Sequence, residues 1–128
     1  DYGPSIDLIK NLIGIEYELK LEQILNENNL IYIKEDELRE KGFDKTPDFK
    51  LEIPICLNDG TLINWIDSKA TFGDELSHTE YYESQFKYYL NRFGSGLVIY
   101  WFGYLNDIKN LYFNYSNSSF LNSSTINK

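Results

Sequence analysis

Methionine is absent from this 128-residue chain, and it has one cysteine, one histidine and three prolines. A lone thiol, Cys56, excludes an internal disulfide, and a single imidazole, His78, far from it in sequence excludes a zinc centre built on histidine and cysteine. Cys56 is therefore expected to be a small buried hydrophobe, and His78 a polar group that supports a site or meets phosphate. No apolar run nears the roughly 20 residues that cross a bilayer. The longest lies at 96–102, and the start of the chain has no signal-peptide pattern. A soluble domain in a reducing compartment, without membrane contact, is expected. The absence of methionine and the start at Asp1 predict a piece processed or excised from a longer protein with flanking domains.

Bases are also scarce, 12 against 20 acids, for a net charge of −8. Such a balance speaks against a nucleic-acid partner, whose phosphates favour a basic surface. Its distribution softens that objection. Residues 1–38 carry nine acids and three bases, residues 39–92 ten and seven, and residues 93–128 one and two. Most of the bases gather in the middle segment.

The chain does have apolar and aromatic residues, 42% and 16%, enough for one packed core at this length. Ser5 can cap a first helix running to about Asn26, with Leu8, Leu12, Ile15 and Leu19 as its expected buried stripe. Ile31 to Ile33 suits a strand, and the charged stretch 35–41 one helical turn or two. From Phe49 the odd positions Leu51, Ile53, Ile55 and Leu57 are apolar, the period of a half-buried strand. Asn58-Asp59-Gly60 supplies a turn to a return strand at 62–70. A second helix over 75–93 ends at Gly94, and the apolar run 96–102 reads as a strand covered on both faces. A last strand is expected at 111–115. This order predicts one α/β domain over residues 1–115, a sandwich with a central mixed sheet flanked by helices. Residues 116–128, polar and without period, read as a flexible tail.

Chemistry concentrates in Thr46-Pro47-Asp48 and Asp67-Ser68-Lys69. Asp67 and Lys69, two apart on a strand, project from one face while Ser68 points away. Carboxylates there can bind a hard cation, and an ammonium beside them can orient a water or help remove its proton for attack on a phosphodiester. An isolated Asp-x-Lys is usually a surface ion pair on a strand end. Here Asp48 upstream, an acid on the first helix and Gln85-x-x-x-Tyr89 on the second accompany it in order. This last pair is similar to an element of RecB-like nucleases. His78, Tyr82, Gln85, Tyr89 and Arg92 form one stripe at helical spacing. Gln85 is placed to hold Lys69 or the attacking water. His78, Tyr89, Arg92 and Lys45 are expected to contact substrate, with Lys41 and Lys50 extending a DNA track; solvated surface charges are the alternative for the lysines.

Three blocks resemble the signatures of the codanin-interacting nuclease family, also known by its Thr-Pro-Asp motif. They are Gly-Phe-Asp-Lys-Thr-Pro-Asp-Phe at 42–49, Trp-Ile-Asp-Ser-Lys-Ala-Thr-Phe-Gly-Asp at 65–74 with His78, and residues 91–103. The resemblance implies a PD-(D/E)xK, restriction-endonuclease-like fold. It also implies phosphodiester hydrolysis in nucleic acid, with DNA expected, using Mg²⁺ or Mn²⁺, a codanin-like protein partner, and a location in nucleus or cytoplasm. The catalytic set expected is Glu16, Asp48, Asp67, Lys69 and Gln85, with Glu16, Asp48, Asp67 and Ser68 at the metal. Many members of the superfamily carry Glu where this chain has Asp67. Glu16 is chosen over Glu18 because it flanks the expected apolar stripe, and because Glu16-Tyr17-Glu18-Leu19 is similar to a Glu-Arg-Glu-Leu element of archaeal junction resolvases. One difficulty is internal. A strict hairpin about Asp59-Gly60 pairs Asp67 with Glu52 and sets Asp48 opposite Thr71, so either the register slips, with Pro54 the expected place for added residues, or Glu52 takes part.

Overall fold

A computed structural model of the protein describes residues 3–56, 60 and 62–103. The strand expected at 111–115 and the tail lie outside these residues. The elements are α1 (Gly3–Glu27), β1 (Tyr32–Lys34), α2 (Glu35–Glu40), β2 (Phe49–Cys56), β3 (Leu62–Lys69), α3 (Glu75–Tyr81), a π-helical turn (Tyr82–Phe86), α4 (Lys87–Phe93) and β4 (Leu97–Tyr100). The fold is α/β. Four strands form one sheet in the order β1-β2-β3-β4, antiparallel except for the parallel pair β3 and β4. A parallel neighbour needs a crossover, and α3 with α4 supplies it.

Alternation along the strands divides the core between two faces. Phe49, Leu51, Ile66, Leu97 and Ile99 pack with Leu21 and Leu25 of α1. Trp65, Val98 and Tyr100 pack with Phe86 and Tyr89 of the crossover helices. All four β4 residues are buried, as its unbroken apolar run predicts. Gly96 is required just before it, because a Cβ there would lie 2.1 Å from the Trp65 ring. Gly94, at φ 88°, ends α4.

Three sequence expectations fail here. The face of α1 that packs on the sheet is Leu21 and Leu25, with Tyr17 and Ile24 partly buried. Leu8, Leu12, Ile15 and Leu19 are 56–59% exposed. Both sets satisfy helical spacing, and the aliphatic stripe alone could not tell which one meets the sheet. On β2 the alternation holds through Leu51 and then breaks, leaving Ile53 67% exposed. Cys56 is exposed rather than buried, since it lies beyond that break, at the strand's end.

The break resolves the hairpin difficulty. Cys56 pairs with Leu62 and Ile55 with Ile63, but Lys50 pairs with Trp65 and Phe49 with Ile66. The register shifts between Lys50 and Ile55, so β2 accommodates extra residues around Pro54, which has no N–H to offer a ladder. The slip carries Asp48 away from Thr71 and up to Asp67.

Candidate active site

Asp48 and Asp67 are joined through the backbone. The Asp48 N–H donates to Asp67 Oδ1 (3.0 Å), and the Ser68 N–H donates to Asp48 Oδ2 (2.8 Å). Each carboxylate is thereby fixed by the strand that carries the other. Asp67 is buried at 2% exposure, and the Lys69 ammonium lies 3.0 Å from its Oδ2. Lys69 also donates to Gln85 Oε1 (2.7 Å) and stands 4.6 Å from the centre of the Tyr81 ring. The face opposite is filled by Ser68, whose hydroxyl accepts from the Trp101 indole (2.8 Å). The period of two thus sorts the triplet: an acid and an amine toward the crossover helices, a hydroxyl toward α1.

Gln85 lies inside the π-helical turn Tyr82–Phe86. Such turns add a residue to the helical cycle and recur at functional sites. Here the turn breaks the stripe expected from His78 to Arg92. Gln85 and Tyr89 reach the pocket, but His78 does not. His78 is fully buried, its Nδ1 2.5 Å from the Tyr100 hydroxyl, and burial lowers its pKa to about 4. The imidazole is neutral and belongs to the packing beneath the site. Arg92 is exposed and donates to the Lys45 carbonyl (3.4 Å).

The pocket, about 560 Å³, is lined by Asp48, Asp67, Ser68 and Lys69 together with Thr46, Lys45 and Glu18. Glu16 is absent from it. That carboxylate is exposed and pairs with Lys20 (3.7 Å), one turn on. Because the buried stripe is Leu21 and Leu25, the face of α1 at the pocket runs through Lys10, Asn11, Gly14, Ile15 and Glu18. The three- and four-residue steps from Gly14 through Glu18 and Leu21 to Leu25 were the sequence signal for it. Glu52, held in reserve, is exposed and likewise outside the pocket.

Electrostatically the site is crowded. Burial, with Asp67 next to it, holds the Asp48 carboxyl well above the usual carboxylate range. Glu18 is also raised, chiefly by burial, while Lys34 and a hydrogen bond to Asp48 pull the other way. Lys69 loses hydration, which favours the neutral amine, but the attraction of Asp67 and Asp48 wins and its pKa is raised. It is an ammonium at neutral pH. Among the described residues no three His, Cys, Asp or Glu side chains are gathered as a ready-made metal cage. The donor set is instead two carboxylates linked through backbone N–H groups, with Glu18 on the same pocket. That set fits Mg²⁺, which is commonly held by one or two carboxylates and keeps several waters.

The chain matches, over residues 1–120, the family described as "Protein of unknown function TPD sequence-motif". It is 53% identical over 107 residues to CDAN1-interacting nuclease 1 of Homo sapiens, covering 84% of this chain and 38% of that protein. With the Xenopus laevis protein of the same name the identity is 56% over 106 residues, 83% of this chain and 35% of the relative. The chain thus spans under two-fifths of the length of these relatives. No solved structure matches. With the family match running nearly end to end and about half the residues shared with these proteins, the chain belongs to the codanin-interacting nuclease family of the Thr-Pro-Asp motif.

Proposed function

We propose that this chain is the hydrolytic core of a divalent-metal-dependent nuclease of PD-(D/E)xK type that cleaves phosphodiester bonds, in DNA before other polymers. The observation that carries this reading is the meeting of Asp48, Asp67, Lys69 and Gln85, from three separate segments, within hydrogen-bond or ion-pair distance. A fold gains nothing from pressing like charges together, which suggests that a ligand of opposite charge is meant to relieve them. Relatives are named as nucleases, which agrees.

Asp48 and Asp67 would hold Mg²⁺ or Mn²⁺, with Glu18 in the place expected of Glu16 and reaching the ion directly or through water. Bound there, the ion would offset negative charge building on the phosphate and make a coordinated water more acidic. Lys69, charged and held by Gln85, orients the attacking water and donates toward the phosphate oxygens. The raised carboxyl of Glu18 suits it to take the proton that water loses as its oxygen bonds to phosphorus and the P–O bond opposite breaks. Tyr89 and Lys45 line the pocket and would meet substrate there, and Arg92 donates to the Lys45 carbonyl. In vivo a codanin-like protein is the partner we expect, from the name its relatives carry.

The test is cleavage of a panel of single-stranded, duplex and flap DNA and RNA in Mg²⁺ by wild-type, Asp67→Asn and Lys69→Ala proteins. Loss of cleavage of about 10²-fold or more in both variants is expected. Lys69→Ala protein that cuts at the wild-type rate would remove the mechanism. A wild-type protein that binds DNA or a codanin-like partner tightly but cuts nothing would favour the second reading, a nuclease fold kept for binding alone.

A further inference from the structure

Thr46 is 5% exposed, lines the same pocket, and its hydroxyl has no hydrogen-bond partner among the described residues. A buried hydroxyl without a partner destabilises a fold. Valine has nearly the same shape and carries no such penalty, so the fold alone gives no reason for threonine. Its neighbours show what the hydroxyl waits for. Lys45, on the same pocket wall, is exposed and has no carboxylate within ion-pair distance among the described residues; its Nζ rests 5.4 Å over the Tyr88 ring. Arg92 is likewise without a carboxylate partner there, rests 5.5 Å over Phe43, and donates to the Lys45 carbonyl. In a chain of net charge −8, two cations on aromatic faces beside an unsatisfied donor mark a place for an anion.

We propose that the Thr46 hydroxyl donates to a phosphate oxygen of the bound polynucleotide, with Lys45 beside it supplying charge and Arg92 holding the backbone that carries both. Thr46 is thus a substrate-binding residue, and the tight anchoring of Asp48 by Asp67 and Ser68 fixes where its hydroxyl lies relative to the acids. The inference rests on the nuclease reading above and adds to it a contact that acts on the phosphate, not on the metal.

Thr46→Val and Thr46→Ser proteins, each in the full chain, separate this from other roles. Binding of a fluorescent oligonucleotide in Ca²⁺ is measured by anisotropy, Mg²⁺ binding by calorimetry without DNA, and melting by fluorimetry. Thr46→Val is expected to weaken oligonucleotide binding about tenfold, to leave Mg²⁺ binding unchanged and to melt no lower than wild type, while Thr46→Ser restores binding. Wild-type oligonucleotide affinity in Thr46→Val overturns the proposal, even where Asp67→Asn abolishes cleavage and so upholds the nuclease reading. A fall in Mg²⁺ affinity overturns it in favour of a role at the metal. A markedly lower melting temperature overturns it in favour of the fold. Wild-type protein that binds no oligonucleotide removes the nuclease reading and this contact together.

Discussion

Replacing Asp48 by asparagine should make the protein more stable while destroying its proposed activity. The amide oxygen can still accept the Ser68 N–H, so the backbone link survives, with a neutral acceptor in place of a charged one. What disappears is a charge that burial and Asp67 both oppose. The folded carboxyl binds its proton more tightly than the unfolded one, whose pKa is about 3.9. Between the unfolded and folded values the native state holds more protons, so wild-type stability falls as pH rises through that window and the penalty is full above it. Relief of this kind at a functional site is worth about 0.5–2 kcal/mol, or roughly 3–5 °C per kcal/mol for a domain of this size. Melting curves of both proteins at pH 5, 6, 7 and 8 without metal provide the assay. Asp48→Asn should melt higher at pH 8, with the gap closing toward pH 5; contributions such as that of His78 are common to both proteins and cancel. Adding Mg²⁺ should raise only the wild type, by about 2.7 kcal/mol at a hundredfold excess over its dissociation constant. A variant that melts lower at pH 8, or a gap that widens in acid, would refute the account of a crowded, destabilising carboxylate.

The remaining expectations concern the support of the site. Lys69→Met should abolish cleavage and lower stability by about 3–5 kcal/mol in denaturant titrations at pH 8, because Asp67 is left buried without its cation. His78, with its pKa lowered to about 4 against about 6.5 unfolded, resists a proton that the unfolded chain accepts. Stability should thus decline as pH falls from about 6.5 to 4, by up to about 3 kcal/mol, and a His78→Phe variant should lack that slope in acid melts. On α1, Leu21→Ala should cost about 2–5 kcal/mol and Leu12→Ala under about 0.5, as chemical denaturation would show. Equal losses would mean that the buried face has been misassigned. Gly96→Ala should destabilise by about 1–3 kcal/mol or more, since its methyl would collide with Trp65.

Much of this was legible in the chain. Period-two alternation placed Asp67 and Lys69 on one face and Ser68 on the other, the unbroken apolar run at 96–102 announced a strand covered on both sides, which forms over Leu97–Tyr100, and Gln85 stood at the right helical spacing to reach Lys69. These are local regularities, set by the geometry of one strand or one helix. Three things were not local. Helix α1 carries two candidate apolar faces, and only packing of Leu21 and Leu25 against the sheet selected Glu18 over Glu16 for the pocket. The π-helical turn interrupted the expected stripe, with His78 before it buried against Tyr100 and Gln85 and Tyr89 at the pocket. And the irregularity between Lys50 and Ile55 brought Asp48 to Asp67, where a strict hairpin would have left it opposite Thr71. The sequence by itself thus determined which residues carry the charge and on which side of their own element they stand. Only the tertiary structure decided which of them meet, because register and helix rotation are chosen by the total burial of both partners, a quantity no single segment contains.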